Sequence, residues 1–303
     1  MSLQNTIKTS VHLTGIEYYG GNYVETVIKP AEENTGIIFR TKNGNIKAKL
    51  DYAAQSRSSI LLNNGRVQIL NVEHILATLY AYGIDNALIE IKRTPSKSFR
   101  LLSELGLTTG IEVVPTFEDR EKTLCDKLDG AGIEQQRTER KELRINKPVY
   151  TEKLSFEPIN SGLILVATTN YPIPGEQTVA IQITPQSYRD ELSRSRPYAK
   201  HAPVWLPKRL VSAIAAVMFP SFGIGHGFDS SKVFLPVKNK EEWYKTQRYP
   251  DGDEIARHTM VDRLGALALL NGRLEGVRVL ARYSGHENDL RVLRELIHNF
   301  LLH

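Results

Sequence analysis

EIARHTMVDRLGALALLNGRLEGVRVLARY, Glu254 to Tyr283, is the stretch of sequence that decides the fold. Apolar residues recur in it at helical spacing, which predicts a helix with one broad buried stripe. Asp251 and Asp253 supply start signals, and Asn271-Gly272 supplies the stop. After that stop, Leu274 to Tyr283 has the composition of a strand. The stretch therefore predicts one helix-then-strand unit.

The same unit occurs earlier in the chain. A helix beginning near Asn71, its expected N-cap, carries Glu73-His74 in its first turn and stops at Gly83. Asn86 to Ile91 then forms a strand candidate. Two such units that face each other would bring His74 and His258 to a shared interface.

Further strands and helices are predicted on either side of one charged segment. Glu134 to Lys147 is charged and nearly devoid of large apolar groups, so we place a domain boundary there, with domains 1–140 and 141–303. The other predicted strands are Thr26–Ile28, Thr35–Phe39, Ile46–Leu50, Arg66–Leu70, Lys153–Phe156 and Leu163–Thr168. The other predicted helices are Gln186–Ser195, Lys208–Phe219 and the amphipathic Glu287–Leu302.

Composition excludes several classes of protein. The 303 residues are 41% hydrophobic and 24% charged, which is typical of a soluble globular protein. No run is long and apolar enough for a transmembrane helix, and the first ten residues lack the apolar core of a signal peptide. A single cysteine, Cys125, excludes an internal disulfide and a multi-cysteine metal cluster, so we expect a cytoplasmic protein.

The net charge of +5 leaves two interpretations open. It is an ordinary solvated surface, or it reflects a preference for anions such as a sugar nucleotide or an acidic membrane surface. Nucleic acid is not expected as a partner, because the basic residues are dispersed and no nucleic-acid motif occurs.

His258 and Asp262 are the first candidates for metal chemistry. Residues four apart on a helix lie on one face, and an imidazole with a carboxylate supplies two of the three protein ligands of a catalytic zinc. Such a pair is more often a surface pair or a buried hydrogen bond, so alone it is a weak signal.

Two further features strengthen the pair. Glu73-His74 offers a ligand and, on a different helix face, a carboxylate that could act as a general base. Ser284-Gly285-His286 places a histidine at a strand-to-helix junction, where it could protonate a leaving amine or stabilise an oxyanion. A Gly-x-Ser-x-Gly elbow is absent and no base is assigned to Cys125, so serine or thiol catalysis is disfavoured.

Taken together, these residues resemble a known family. The order and approximate spacing of Val72-Glu73-His74, Gly83-Ile84-Asp85-Asn86, Arg257-His258 with Asp262, and Ser284-Gly285-His286 are similar to those of the UDP-3-O-acyl-N-acetylglucosamine deacetylases of lipid A biosynthesis. Further agreement comes from Asn34-Thr35-Gly36-Ile37 and Ser193-Arg194-Ser195-Arg196. The resemblance extends from about Val11 to the C-terminal helix, and this chain is identified as a divergent member.

The resemblance implies two similar α+β domains, each a mainly antiparallel sheet layered with helices, whose helices face each other around a zinc site. It implies that His74, His258 and Asp262 bind Zn²⁺. Glu73 would take a proton from the hydrolytic water, and His286 would assist departure of the sugar amine. Thr168 would hydrogen-bond the tetrahedral intermediate. The implied partner is an acylated UDP-amino sugar, with peripheral contact to the inner membrane and a monomeric chain.

Several positions depart from the family pattern. Thr259 stands in place of a lysine near the nucleotide diphosphate, and Arg263 either compensates for that charge or is solvated. Ala266 stands in place of an aspartate that orients the catalytic histidine, so His286 should hold a proton less readily. Tyr19 stands in place of a histidine, and the segment around Phe117-Glu118-Asp119-Arg120 also differs.

These departures keep two other functions open. The first is the same zinc amidohydrolase chemistry on a different N-acyl substrate, which Thr259 would suit. The second is a catalytically weak protein that binds zinc or a sugar nucleotide, which Ala266 suggests.

Overall fold

The computed structural model describes residues 2–16, 23–56, 59–94, 111–115, 117–118, 123–198, 242 and 244–299. Its strands are β1 Leu3–Ile7, β2 Val11–Ile16, β3 Tyr23–Pro30, β4 Ile37–Thr41, β5 Gly44–Lys47, β6 Ala53–Ser56, β7 Ser59–Asn63, β8 Gln68–Leu70, β9 Ala87–Thr94, β10 Glu112–Val113, β11 Phe117–Glu118, β12 Ile133–Glu139, β13 Glu142–Leu143, β14 Leu154–Pro158, β15 Leu163–Tyr171, β16 Gly175–Gln182, β17 Arg273–Leu274 and β18 Val277–Arg282. Its helices are α1 Glu73–Ala81, α2 Leu124–Ala131, α3 Pro185–Ser187, α4 Glu254–Leu267 and α5 His286–Asn299. Short 3-10 turns cover Leu50–Tyr52 and Ala268–Leu270.

The strands form mainly antiparallel sheets. Six strands form the largest sheet, in the spatial order β11-β2-β3-β9-β4-β5, and four form a second sheet in the order β14-β18-β15-β16. A further four-stranded sheet has the order β10-β8-β7-β6, and two-stranded sheets join β1 to β12 and β13 to β17. The α+β class is thus confirmed.

The repeated helix-then-strand unit has a counterpart in the sheet topology. The strand after α1, β9, pairs antiparallel with β3 and parallel with β4. The strand after α4, β18, pairs antiparallel with β14 and parallel with β15. Each helix is therefore followed by a strand with one antiparallel and one parallel neighbour.

The charged segment 134–147 is built into sheets. Its residues form β12, which pairs with β1, and β13, which pairs with β17. No side chain of β12 is fully buried, so a polar sequence suits this edge strand. The segment therefore forms strands where we placed a domain boundary, and the boundary at 140/141 stays a prediction.

α4 lies in the interior of the protein. Its buried residues come from every face of the helix, and they include Met260, Leu264 and Leu267. One continuous apolar core contains these side chains together with Leu76 of α1 and Val279 of β18. Because α4 is buried on all its faces, each of its polar side chains needs a hydrogen-bond or ion-pair partner, or a function.

α1 and α4 touch through a glycine. A Cβ built on Gly265 would lie 2.2 Å from the backbone oxygen of Glu73 and 2.7 Å from its Cα. Only a residue without a side chain allows the two helix backbones to approach this closely. The first turn of α1 is thereby held against the middle of α4.

The predicted ends of the two helices agree with the structure in part. Gly83 and Asn271 have positive φ values of 73° and 54°, as expected of helix stops. Asn71 is not the N-cap of α1, because its own φ is 71° and Val72 takes the N-cap position. Its side-chain oxygen instead accepts a hydrogen bond from the Ser59 hydroxyl at 2.6 Å.

Two helices predicted in the second half have different outcomes. The one expected at Gln186–Ser195 is α3 followed by a π-helical turn over Tyr188–Leu192. The one expected at Lys208–Phe219 lies outside the described residues. Among the helices that are described, none combines the length and apolar character needed to cross a membrane.

Candidate metal centre

His74, His258 and Asp262 come together between α1 and α4. Asp262 Oδ1 lies 3.5 Å from His74 Nε2 and 3.6 Å from His258 Nε2, and all three ligand atoms lie within 4.8 Å of one another. The two imidazole rings meet edge to face with centroids 5.0 Å apart. The group is thus assembled from two helices that are distant in the sequence.

The spacing fits a tetrahedral ion. Ligands about 2.1 Å from a zinc ion at tetrahedral angles lie about 3.4 Å from each other. The two distances from Asp262 Oδ1 match that value closely. The donor set also fits, since two imidazoles and one carboxylate leave a fourth position for water or substrate. These three residues could therefore hold a metal ion.

The protonation of the ligands favours metal binding. Burial alone would raise the pKa of Asp262, but the neighbouring His258, His74 and His286 outweigh it and hold that pKa well below its usual value. Burial lowers the pKa of His258, against the pull of Asp262. An ionised carboxylate and a neutral imidazole are the forms that bind a cation.

The backbone at Ser195 fixes the tautomer of His258. His258 Nδ1 lies 2.9 Å from the Ser195 carbonyl oxygen, which can only accept, so Nδ1 carries the proton and Nε2 keeps its lone pair. Arg196 anchors this segment through Nε and Nη2, which donate to the Glu254 carboxylate at 2.7 and 2.8 Å. Glu254 is 1% exposed. The motif Ser193-Arg194-Ser195-Arg196 therefore orients the His258 imidazole.

Glu73 lies beside the three ligands. Its carboxylate forms a second close group with Asp262 and His286, whose ligand atoms also lie within 4.8 Å of one another. Glu73 Oε2 accepts a hydrogen bond of 3.0 Å from the Ile60 amide. Burial raises the pKa of Glu73 to about 7, against the opposing effect of His74. A carboxyl group that exchanges protons near neutral pH suits general base chemistry.

His286 begins α5 and faces Asp262. Its Nε2 lies 3.9 Å from Asp262 Oδ2, and the residue is 6% exposed. Burial lowers the pKa of His286 to about 4, and the nearby Arg263 acts in the same direction, against Asp262. This agrees with the expectation that a histidine without a carboxylate at position 266 holds its proton less readily.

Arg263 is buried. It is 4% exposed, and its Nε lies 2.5 Å from Oδ2 of Asp289, which is 1% exposed. The contact is an ion pair whose direction is not that of a hydrogen bond. The interpretation of Arg263 as a solvated residue is thus wrong, and its compensation for the charge lost at Thr259 stays a prediction. The Thr259 hydroxyl donates to the Ile255 carbonyl oxygen at 3.0 Å.

Thr168 lies on β15, and its side chain is partly exposed. On β15, the residues that face the core alternate with partly exposed ones, and Thr168 belongs to the exposed set. Its hydroxyl shares a hydrogen bond of 2.9 Å with the Thr178 hydroxyl. The next residue, Thr169, is 5% exposed, and its hydroxyl has no hydrogen-bond partner among the described residues. The role of Thr168 toward a tetrahedral intermediate stays a prediction.

The remaining departures lie in the first half of the chain. Phe117-Glu118 forms β11, which pairs with β2 at the edge of the large sheet. Tyr19, and the rest of the segment 17–22, lie outside the described residues.

Sequence reasoning missed two ion pairs with buried carboxylates beside the cluster, Arg196 with Glu254 and Arg263 with Asp289. Both join residues from different elements, so no local spacing announces them. Of these elements, only α4 gave a sign of the ion pairs in its sequence. A charged residue among apolar ones, on a helix with a wide apolar surface, requires a buried partner.

Comparison with known proteins agrees with this geometry. A family model described as LpxC, UDP-3-O-acyl N-acetylglycosamine deacetylase, matches residues 4–298. A UDP-3-O-acyl-N-acetylglucosamine deacetylase of Thermodesulfovibrio yellowstonii is 28% identical over 98% of this chain and 92% of its own length. Proteins of the same name from Idiomarina loihiensis and Neisseria meningitidis are each 26% identical, over 98% and 97% of this chain and 90% of their own lengths. The chain belongs to the LpxC family of UDP-3-O-acyl N-acetylglycosamine deacetylases.

Proposed function

We propose that this protein is a zinc-dependent deacetylase that removes the N-acetyl group from a UDP-3-O-acyl-N-acetylglucosamine-type sugar nucleotide, in the cytoplasm, as a step of lipid A biosynthesis. The observation that carries the proposal is the cluster of His74, His258 and Asp262 at tetrahedral ligand spacing, with Glu73 buried beside it. Membership of the family and the names of the relatives support the substrate.

In this proposal His74, His258 and Asp262 hold the zinc ion. When bound there, zinc lowers the pKa of water and polarises the amide carbonyl. The protein's own contribution is to hold the ligands in place before the ion arrives. The Ser195 carbonyl orients His258, and the close contact at Gly265 fixes the distance between the two helices.

Glu73 acts as the general base. Its carboxylate accepts the proton of the attacking water, so that an oxygen nucleophile forms next to the amide carbon. The Ile60 amide holds one carboxylate oxygen by a hydrogen bond of 3.0 Å, which leaves the other to receive the proton. The buried position keeps bulk water from competing for this group.

His286 acts on the other side of the reacting centre. A neutral imidazole there donates a hydrogen bond to the developing charge, and it assists departure of the sugar amine. Collapse of the tetrahedral species then breaks the C–N bond and gives acetate and the free amine. Transfer of the proton that Glu73 took from the water to the amine nitrogen completes the balance of the reaction.

The test is a deacetylation assay with the metal content measured on the same sample. We expect about one zinc per chain, since the site has a single set of three ligands, and release of acetate from the acylated UDP-sugar. His74→Ala and Asp262→Ala should each lose the metal and the activity. His298→Ala is the matched control, because His298 is exposed on α5.

Two results would contradict the proposal in different ways. A full zinc equivalent in His74→Ala would remove that residue from the site. Zinc in the wild type without turnover of this sugar nucleotide would overturn the substrate. In that case a different N-acyl substrate, or a binding protein without catalysis, would account for Thr259 and Ala266.

A further inference from the structure

His286 is buried at the candidate centre, yet its ring has little direct support. Its Nδ1 makes no hydrogen bond within the part of the chain that the structure describes, and Ala266 offers only a methyl group on α4. A ring without a hydrogen-bond partner keeps its position only if its backbone is fixed. The backbone in question is the turn Ser284-Gly285-His286, which joins β18 to α5.

Arg263 and Asp289 fix this turn from two sides. Arg263 Nη1 donates to the Ser284 carbonyl oxygen at 2.7 Å, and the Ser284 hydroxyl donates to Asp289 Oδ1 at 2.5 Å. The Asp289 amide donates to the Gly285 carbonyl oxygen at 3.0 Å. The ion pair between Arg263 Nε and Asp289 Oδ2 closes the ring of contacts.

Arg263 and Asp289 each lie close in the sequence to a residue with a role in the proposed reaction. Arg263 follows Asp262, a proposed metal ligand, and Asp289 lies in the first turn of the helix that His286 begins. The pair thus joins the helix that carries a ligand to the turn that carries the candidate acid. Asp289 also lies at the positive end of the α5 dipole, which stabilises its negative charge.

We infer that Arg263 and Asp289 are positioning residues that hold the Ser284-Gly285-His286 turn, and so the His286 imidazole, beside Asp262. They do so where Ala266 provides no carboxylate. The inference rests on the proposed function, because it gives His286 a task in deacetylation. Neither residue touches the reacting atoms in this assignment; both act through His286.

Asp289→Asn and Arg263→Lys test the inference. Asp289→Asn keeps the shape and an oxygen for the Ser284 hydroxyl but removes the charge. Arg263→Lys keeps the charge, but an ammonium lacks the planar fork that reaches Ser284 and Asp289 together. We expect both variants to retain zinc and to bind substrate with a KM close to that of the wild type. We expect kcat to fall on the order of tenfold to a hundredfold, the usual effect of a misplaced catalytic group.

Arg140→Lys is the matched control. Arg140 also bridges a carboxylate and a carbonyl, through bonds of 2.7 Å from Nη2 to Asp85 Oδ2 and to the Gly83 oxygen. Its two partners follow the C-terminal end of α1, whereas Glu73 and the nearby His286 lie at the N-terminal end. We expect this variant to lose thermal stability as Arg263→Lys does, with kcat unchanged. A purely structural role for Arg263 predicts the same kcat in both variants.

A second readout does not depend on activity. In metal-free protein with ¹⁵N-labelled histidine, the imidazole signals of His286, assigned from their loss in His286→Gln, should shift or broaden in Asp289→Asn and stay unchanged in Arg140→Lys. Unchanged His286 signals and an unchanged kcat in Asp289→Asn would overturn the inference. An inactive wild type that binds zinc would overturn the proposed function instead, and the His286 signals would still decide whether the pair positions the ring.

Discussion

At the scale of single residues, the candidate metal ligands could be predicted from the sequence and the supporting residues could not. His258 and Asp262 share a helix face because they are four positions apart. His74 was predicted as their partner from the repeated helix-then-strand unit and from the family resemblance. Asp289 gave no such signal, because its burial depends on how α5 docks against α4.

Glu73→Gln is the first prediction at this scale. The amide keeps the size of the side chain and an oxygen that accepts from the Ile60 amide, so the fold and the zinc content should be unchanged. It cannot take a proton, so kcat should fall on the order of 10²- to 10⁴-fold. Zinc analysis and steady-state rates on the same preparation measure both effects.

Glu90→Gln controls for the loss of a carboxylate. Glu90 lies on β9 and pairs with Lys29 at 2.7 Å, on the sheet and not between the two helices. Its variant should keep the wild-type rate. A rate for Glu73→Gln equal to that of Glu90→Gln would mean that another group is the base.

At the scale of elements, the contact between α1 and α4 depends on one position. Ala in place of Gly265 would place a methyl carbon 2.2 Å from the Glu73 oxygen, where backbone on both sides blocks relaxation. The helices must move apart, which should reduce the free energy of unfolding by about 1–3 kcal/mol or more. The distances from Asp262 to His74 should also grow, so zinc affinity should fall.

Gly130→Ala is the matched control for this change. Gly130 lies in α2, and a Cβ there would meet nothing within 4 Å. Alanine favours the helix over glycine by up to about 1 kcal/mol, so this variant should be neutral or more stable. Urea unfolding of both variants, with zinc titrations of the native proteins, separates the clash from the general effect of alanine. Equal stability of the two variants would contradict the close approach.

The capping box of α2 gives a second prediction for an element. The Thr123 hydroxyl accepts from the Asp126 amide at 3.2 Å, and Asp126 Oδ2 accepts from the Thr123 amide at 2.9 Å. Thr123→Ala should cost about 1 kcal/mol of the free energy of unfolding at neutral pH. Thr123→Ser keeps the hydroxyl and should keep most of the stability.

The effect of this cap should depend on pH. The Thr123 hydroxyl also donates to Asp126 Oδ2 at 2.8 Å, and this hydrogen bond is the main reason that the pKa of Asp126 lies below its usual value. A depressed carboxyl pKa stabilises the native state above the unfolded value of about 3.9 and loses that effect as the pH falls through the folded value. The difference between wild type and Thr123→Ala should therefore shrink below about pH 4. A difference that grows in acid would contradict the assigned hydrogen bond.

At the scale of the whole molecule, the α+β class, which the family resemblance implied, was predicted better than the limits of single elements. The predicted helix-then-strand repeat is present in the structure, because its two strands, β9 and β18, have the same kinds of neighbouring strand. The charged segment 134–147 forms strands although it has few apolar residues, because an edge strand does not need them when its two faces are largely solvated. Pairing of β12 with β1 joins distant parts of the chain, and such long-range pairing leaves no trace in local composition.

The centre itself should stabilise the whole molecule. Its proposed ligands lie on α1 and α4, far apart in the sequence, so the unfolded chain cannot present them together. A ligand that binds only the native state adds about 2.7 kcal/mol at a free concentration of one hundred times Kd. For a chain of this size we expect zinc to raise the Tm of metal-free protein by a few degrees or more. Thermal melts after treatment with a chelator, with and without added zinc, measure the shift.

His74→Ala should show no shift and His298→Ala the full one. A shift of equal size in His74→Ala would place the stabilising zinc elsewhere, because a site that spans α1 and α4 cannot bind tightly through α4 alone.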